Sequence, residues 1–307
     1  MSMKRRLQRG FTLVELIMVI VIMGVIGGMV SVFMKSPIDA YFDSARRAAL
    51  TDLADTTVRR ISRDVGRALP NSLRPPATSQ CIEFIPTKTG GRYRADSTAA
   101  GLSFAAPPDT SFNMLGSNAT FAGNAIPTDQ QIMDQDFIVV YNLGVTGSDA
   151  YALNAVNRAT VNGTPTLAIA SPPETNIVVT TTQPAGSPTF SLESGGNRFH
   201  VVSSTEQSVT YVCANCTSTT ANGNGVGVLY RYVRPFTVAH FCPTTAGEIA
   251  AMVVDGAAVL ANNVSSGSFT YNGSDLQRNA TVQINLSFTQ SNETVSVHHE
   301  VHADNTP

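Results

Sequence analysis

The sequence predicts an α+β fold: one long N-terminal helix packed on an antiparallel β-sheet globular domain. Three observations predict it. An apolar run extends from Leu16 to Met34. Apolar residues then recur at helical spacing as far as Leu69. From Cys81 onward the period shortens to that of strands.

The first element is the apolar helix, bounded at residues 11–36. It is long enough to cross a bilayer, which needs roughly 20 residues. A cleaved secretory signal has a shorter apolar core and a small-residue cleavage site, and no Ala-x-Ala lies just after Met34. A short leader, residues 1–10, precedes it and carries Lys4, Arg5, Arg6 and Arg9. Positive charge kept on the cytoplasmic side orients such a helix with its N-terminus inside. One carboxylate, Glu15, sits just inside the apolar segment. A carboxylate at the head of a membrane helix is costly unless paired, so Glu15 is a candidate functional residue. Gly24, Gly27 and Gly28 lower helix propensity by about 1 kcal/mol each relative to alanine. They equally allow close helix packing. Pro37 removes a backbone donor and favours a kink.

The second element is an amphipathic helix over residues 37–70. Its apolar positions are Ile38, Phe42, Ala45, Ala49, Leu53, Ile61, Val65 and Leu69. Arg46, Arg47, Asp52, Arg59, Arg60, Arg63 and Arg67 occupy the other face. Pro70-Asn71-Ser72 ends it.

Residues 71–307 form the β-rich domain. Strands are expected at 81–85, 101–105, 136–141, 166–170, 176–180, 198–202, 208–213 and 226–233. The clearest is 281–288, where Val282, Ile284, Leu286 and Phe288 alternate with polar residues. Residues 293–302 pair with it across a turn at Ser291-Asn292. Asn222-Gly223-Asn224-Gly225 turns a hairpin, and 245–254 fits a short helix. The polar stretches 109–129 and 181–196 read as surface loops.

Composition narrows the function. Charged residues make up 14% of the 307 residues and the net charge is −2, which argues against nucleic acid as the main partner. Removal of the leader leaves 16 basic against 22 acidic residues. Lysine occurs only at Lys4, Lys35 and Lys88. Four cysteines, Cys81, Cys213, Cys216 and Cys242, all follow the apolar helix and suit an oxidising compartment. They are disulfide candidates with three possible pairings. A hairpin that brings their segments together favours Cys213 or Cys216 with Cys242. Asn-x-Ser/Thr triplets at Asn162 and Asn272 are read as composition.

No catalytic, cofactor-binding or metal residue is assigned. His298, Glu300 and His302 share one strand face, with His299 opposite, and a solvated face explains them. Cys213-Ala-Asn-Cys216 has redox-motif spacing but no helix after it. Gly90-Gly91 and Gly223 to Gly227 open no helix, so turns explain them better than phosphate loops. Ser194-Gly195 lacks the glycine that a nucleophile elbow needs. The arginine set on the amphipathic helix reads as a solvated face.

The basic leader, the Gly10-Phe11 junction, Glu15 and the apolar helix together resemble the signal of type IV pilins and pseudopilins. Further runs, including Ser36-Pro37-Ile38-Asp39-Ala40-Tyr41, Gly90-Gly91-Arg92-Tyr93-Arg94 and His302-Ala303-Asp304-Asn305-Thr306-Pro307, resemble minor pilins of MSHA (mannose-sensitive haemagglutinin) pili. They also lie near the J-type pseudopilins of type II secretion. The resemblance implies a lollipop-shaped fold, cleavage between Gly10 and Phe11 by a prepilin peptidase, and N-methylation of Phe11. It implies that Glu15 pairs with the N-terminal ammonium of a neighbouring subunit. It places the chain in the inner membrane as a single-pass protein with a cytoplasmic N-terminus and periplasmic domain, or in the extracellular pilus. Major pilins often carry their proline about a turn earlier, near Val32 here. The implied partners are other minor and major pilins, the peptidase and the inner-membrane assembly platform; the implied role is structural, with no enzyme activity and no cofactor. The competing readings are an adhesin using the loops 109–129 and 181–196, and a metal-dependent enzyme built on the C-terminal histidines.

Overall fold

A computed structural model describes residues 10–74, 78–95, 100–184, 186–273 and 279–307. The chain divides into two compact units, Met1–Ala49 and Leu50–Pro307. Helix α1 (Leu13–Val65) contributes to both and continues through Pro37. In the first unit its apolar side chains from Leu13 to Met34 are exposed.

The second unit is α+β. Its strands in chain order are β1 (Cys81–Phe84), β2 (Thr89–Arg92), β3 (Ser111–Leu115), β4 (Thr120–Phe121), β5 (Asn124–Ala125), β6 (Phe137–Val139), β7 (Arg158–Val161) and β8 (Thr166–Ala170). There follow β9 (Pro173–Thr180), β10 (Arg198–Val202), β11 (Ser208–Ala214), β12 (Gly227–Arg234), helix α2 (Ala246–Val254), β13 (Ala258–Asn272), β14 (Asn279–Gln290) and β15 (Glu293–Asp304). All strand ladders are antiparallel.

One sheet runs β1-β11-β12-β13-β14-β15. Leu50, Ala54, Val58, Ile61 and Val65 of α1 are buried with Phe84, Tyr211, Ile284 and Phe288 of this sheet. Their spacing of three and four residues makes one helical stripe. The predicted stripe overlapped this one at Ile61 and Val65, but Ala45 and Ala49 are exposed. Cys81, Val212 and Tyr232 face the other way and pack with Met252 of α2. With both faces covered at its centre, β11 is buried at every residue and loses the alternation that marks a half-exposed strand. Thr245 caps α2 in a reciprocal box with Glu248.

The second sheet runs β2-β10-β6-β7-β9-β3, with β8 also on β9. Its ends meet where Tyr93 bridges Met114 and the Arg94 N–H donates to Asn113 O at 2.8 Å. The sheet therefore curls around its own core of Phe112, Ile138, Val161, Ile177, Phe190 and Phe199. A smaller cluster packs Val139 and Val202 of this sheet with Tyr151 and with Leu69, Ile85 and Phe236, where the chain leaves α1, β1 and β12.

Some expectations change. The helix ends at Val65, before Leu69, because the Leu69 N–H donates to Ile85 O (2.7 Å) in a bridge with the strand region. Residues 101–105 form no strand beyond an isolated bridge at Leu102. The 109–129 stretch is not all loop: it holds β3 and the small β4–β5 hairpin. Strand β13 escaped sequence reading because its Asn, Ser and Gly residues resemble turn composition. Within 181–196 no strand or helix occurs among the described residues, as expected of a loop.

Candidate functional site: the first turns of the apolar helix

Thr12 starts α1. Its Oγ1 accepts the Glu15 backbone N–H at 3.3 Å, and its carbonyl accepts the Leu16 N–H at 3.2 Å. Thr12-Leu13-Val14-Glu15 thus places a capping residue and an acidic residue at the spacing of a capping box. The carboxylate also lies in the first turn, where the unpaired N–H groups favour negative charge. Both effects fix the position of Glu15 without neutralising it. Among the described residues no cation lies within ion-pair distance of Glu15.

The surroundings of this carboxylate are apolar and open. Phe11 is 84% exposed. The best 18-residue window of the helix has a mean hydropathy of 2.7, and none of it is buried. A Cβ added at Gly10, Gly24, Gly27 or Gly28 would meet nothing. At 1.5 Å per residue the span from Leu13 to Met34 covers roughly 33 Å, about a bilayer core. An exposed apolar surface of this extent is a lipid-facing or subunit-facing surface.

The other sequence candidates have structural explanations. Cys81 bonds to Cys242, and Cys213 to Cys216. The favoured pairing of Cys213 or Cys216 with Cys242 is therefore wrong. Alternation along the strands is the reason: Cys81 pairs across the ladder with Val212 and points to the α2 face with Cys242. Cys213, one residue on, points to the opposite face, where a Cβ on Gly267 would lie 2.2 Å from its sulfur. Gly223, at φ +70°, packs so closely on Asn292 that a Cβ would lie 2.1 Å from Asn292 Oδ1. That glycine serves the junction of two turns. His298, His299, Glu300 and His302 are all exposed on the edge strand β15. His298 Nδ1 contacts Asn285 Oδ1.

Sequence reasoning missed a polar joint that fixes α1 on its sheet. Asp64 is buried on the apolar stripe. Its Oδ2 accepts from Tyr211 Oη and from Arg231 Nε, each at 2.8 Å. Arg231 also donates to Glu206 Oε1 at 2.6 Å. Burial, then the Asp64 charge, pushes the Tyr211 hydroxyl well above the usual tyrosine range, so it stays a donor. The signal was present: Asp64 is three residues after Ile61, on the stripe that reaches Val65. Its position amid Arg59, Arg60, Arg63 and Arg67 disguised it as surface charge. Of these, Arg59 pairs with Asp55 at 2.8 Å on the exposed face.

Residues 5–31 match the prokaryotic N-terminal methylation motif. That match supports a place among type IV pilin-like proteins, the class in which an apolar N-terminal helix assembles with other pilins, and it points to a structural subunit. No curated protein and no solved structure matches the chain significantly.

Proposed function

We propose that the chain is a minor pilin of an MSHA-type type IV pilus, similar to the biogenesis protein MshO, acting in pilus initiation and assembly. The observation that carries the reading is the methylation motif continuing into an exposed apolar helix whose first turn holds Glu15, a carboxylate with no ion-pair partner among the described residues. In this reading a prepilin peptidase cuts between Gly10 and Phe11, and the new Phe11 amine is methylated. Residues 11–36 hold the subunit in the inner membrane, N-terminus inside, with the β-rich unit in the periplasm; residues 37–70 continue into that unit. On assembly the helix leaves lipid for a filament core. A charged residue at the centre of a membrane helix costs about 2.5–3.5 kcal/mol on insertion scales, and Glu15, in the first turn, costs less but still a net penalty while unpaired. An ammonium group from a neighbouring Phe11 offsets that cost, because two desolvated opposite charges compensate when paired. The pairing requirement sets subunit register with other minor and major pilins on the assembly platform.

The test has two parts. Intact mass and N-terminal sequencing of the membrane fraction, from cells with prepilin peptidase, gives a chain starting at methylated Phe11. The Glu15→Ala variant is processed normally but enters pili poorly. A chain that starts at Met1 or Ser2 overturns the processing step, and normal incorporation of Glu15→Ala overturns the pairing. Secretion lost in a deletion strain with intact pili would make the chain a type II secretion pseudopilin.

A further inference from the structure

We infer that the outer face of α1 at Arg60, Arg63 and Arg67 docks an acidic segment of a partner protein. This goes beyond the assembly reading, since it concerns the exposed helix face of the second unit and no residue of the apolar helix.

The last turns of α1 bury one stripe and expose another. Leu50, Ala54, Val58, Ile61 and Val65 face the sheet. Residues 60, 63 and 67, at intervals of three and four, share the opposite side. All three arginines are exposed, and none forms an ion pair among the described residues. Other cations of the second unit are committed inside it. Arg59, Arg74, Lys88, Arg94 and Arg231 pair with carboxylates, and Arg158 and Arg234 lie over phenylalanine rings. Uncommitted positive charge thus gathers on one helix face of a chain that has more acidic than basic residues. Like charges at this spacing repel one another, and opposing carboxylates, which guanidinium groups bind in bidentate fashion, remove that cost.

The row is held in place by its backbone. The Arg67 N–H donates to Asp64 O at 3.2 Å, which continues the turn beyond Val65. The Arg67 carbonyl accepts the N–H and the hydroxyl of Thr87, each at 2.8 Å. The three guanidinium groups therefore leave a fixed support.

The charge pattern around the row selects a protein over other polyanions. From residue 60 to residue 67 the row is roughly 10 Å long at 1.5 Å per residue. Negative charge bounds it at both ends. Asp52 is exposed on the same face, about three turns before Arg63. At the other end Asp129 lines a cavity of about 510 Å³ together with Arg67. The other charges on that cavity, Lys88 and Glu206, are neutralised by Asp136 and Arg231. A nucleic acid backbone or an anionic lipid surface carries its charge well past both ends, where Asp52 and Asp129 repel it. A protein segment can confine its carboxylates to the length of the row and place neutral or basic residues opposite the two aspartates. Complementarity of that kind specifies a partner.

The experiment incorporates the photo-crosslinker benzoylphenylalanine at Thr56, exposed one turn before Arg60 on the same face, in the full-length chain in living cells. Mass spectrometry maps the adduct, and the crosslinked segment is synthesised as a peptide. The expected result is a protein adduct within a segment that carries three or more Asp or Glu residues. The peptide should bind the purified chain in detergent, about tenfold weaker in the triple variant Arg60→Gln, Arg63→Gln, Arg67→Gln and about threefold weaker in Arg63→Gln alone. Both variants should keep the cooperative melting of the parent chain, because the replaced side chains are exposed. The inference is overturned by the absence of a protein adduct, by an adduct in a segment without that acidic cluster, or by equal binding of the peptide to both variants and the parent. An adduct of nucleic acid or phospholipid that the triple variant loses also overturns it, by making the face a phosphate site.

Discussion

Substituting Asp64 by alanine tests whether the polar joint, and not apolar contact alone, seats α1 on its sheet. The change removes the acceptor shared by Arg231 Nε and Tyr211 Oη. Loss of a charge-assisted hydrogen bond costs about 1.5–3 kcal/mol, and an orphaned buried hydroxyl about 1–3 kcal/mol. Breaking a buried ion pair outright costs about 3–5 kcal/mol. Arg231 keeps Glu206 as a second partner, which holds the expected loss near 3 kcal/mol, the lower end of that range. At about 2–4 °C per kcal/mol for a domain of this size, the melting temperature falls by roughly 6–12 °C. Tyr211→Phe alone costs about 1 kcal/mol, since Asp64 still holds Arg231. In the Asp64→Ala background it costs almost nothing, because the hydroxyl has already lost its acceptor. The assay is thermal and guanidinium unfolding of the full chain in detergent, followed by near-ultraviolet tyrosine dichroism. A loss below about 1 kcal/mol for Asp64→Ala, or additivity of the two substitutions, would refute the joint.

The remaining predictions concern the disulfides and acid sensitivity. Cys81–Cys242 closes a sequence separation of 161 residues and Cys213–Cys216 one of 3. Chain entropy then predicts losses of about 5 and about 2 kcal/mol for the paired serine variants; equal shifts in denaturant midpoint would contradict this ordering. Burial, then the Arg198 charge, lowers the His200 pKa below its ordinary 6.5. Stability from this half-buried, neutral histidine is fully present above about pH 6.5 and is lost as pH falls toward the lowered folded value. His200→Asn should therefore flatten the fall in melting temperature between about pH 7 and pH 5. An unchanged slope would assign the acid sensitivity to other groups.

The legible parts of this protein were those written in local pattern. The strand at 281–288 was clear because one face is buried and the other solvated, so its residues alternate. The stretch 245–254 was legible as a short helix, and the structure adds that Thr245 and Glu248 cap it within one turn. Strand β13 was hidden because long-range pairing with β12 and β14 overrides weak intrinsic preference. The cysteine pairing was hidden because it depends on which face of the sheet each residue meets.

The sequence by itself determined the basic N-terminal stretch, the apolar helix, the place of Glu15 within it and the α+β class, since each rests on charge, hydropathy or period along the chain. The tertiary structure alone decided the disulfide pairing and the burial of Asp64 under Tyr211 and Arg231. These features join segments far apart in the chain, or depend on which face of the sheet each residue meets. Contacts of that kind are set when the sheets assemble, and no local periodicity encodes them.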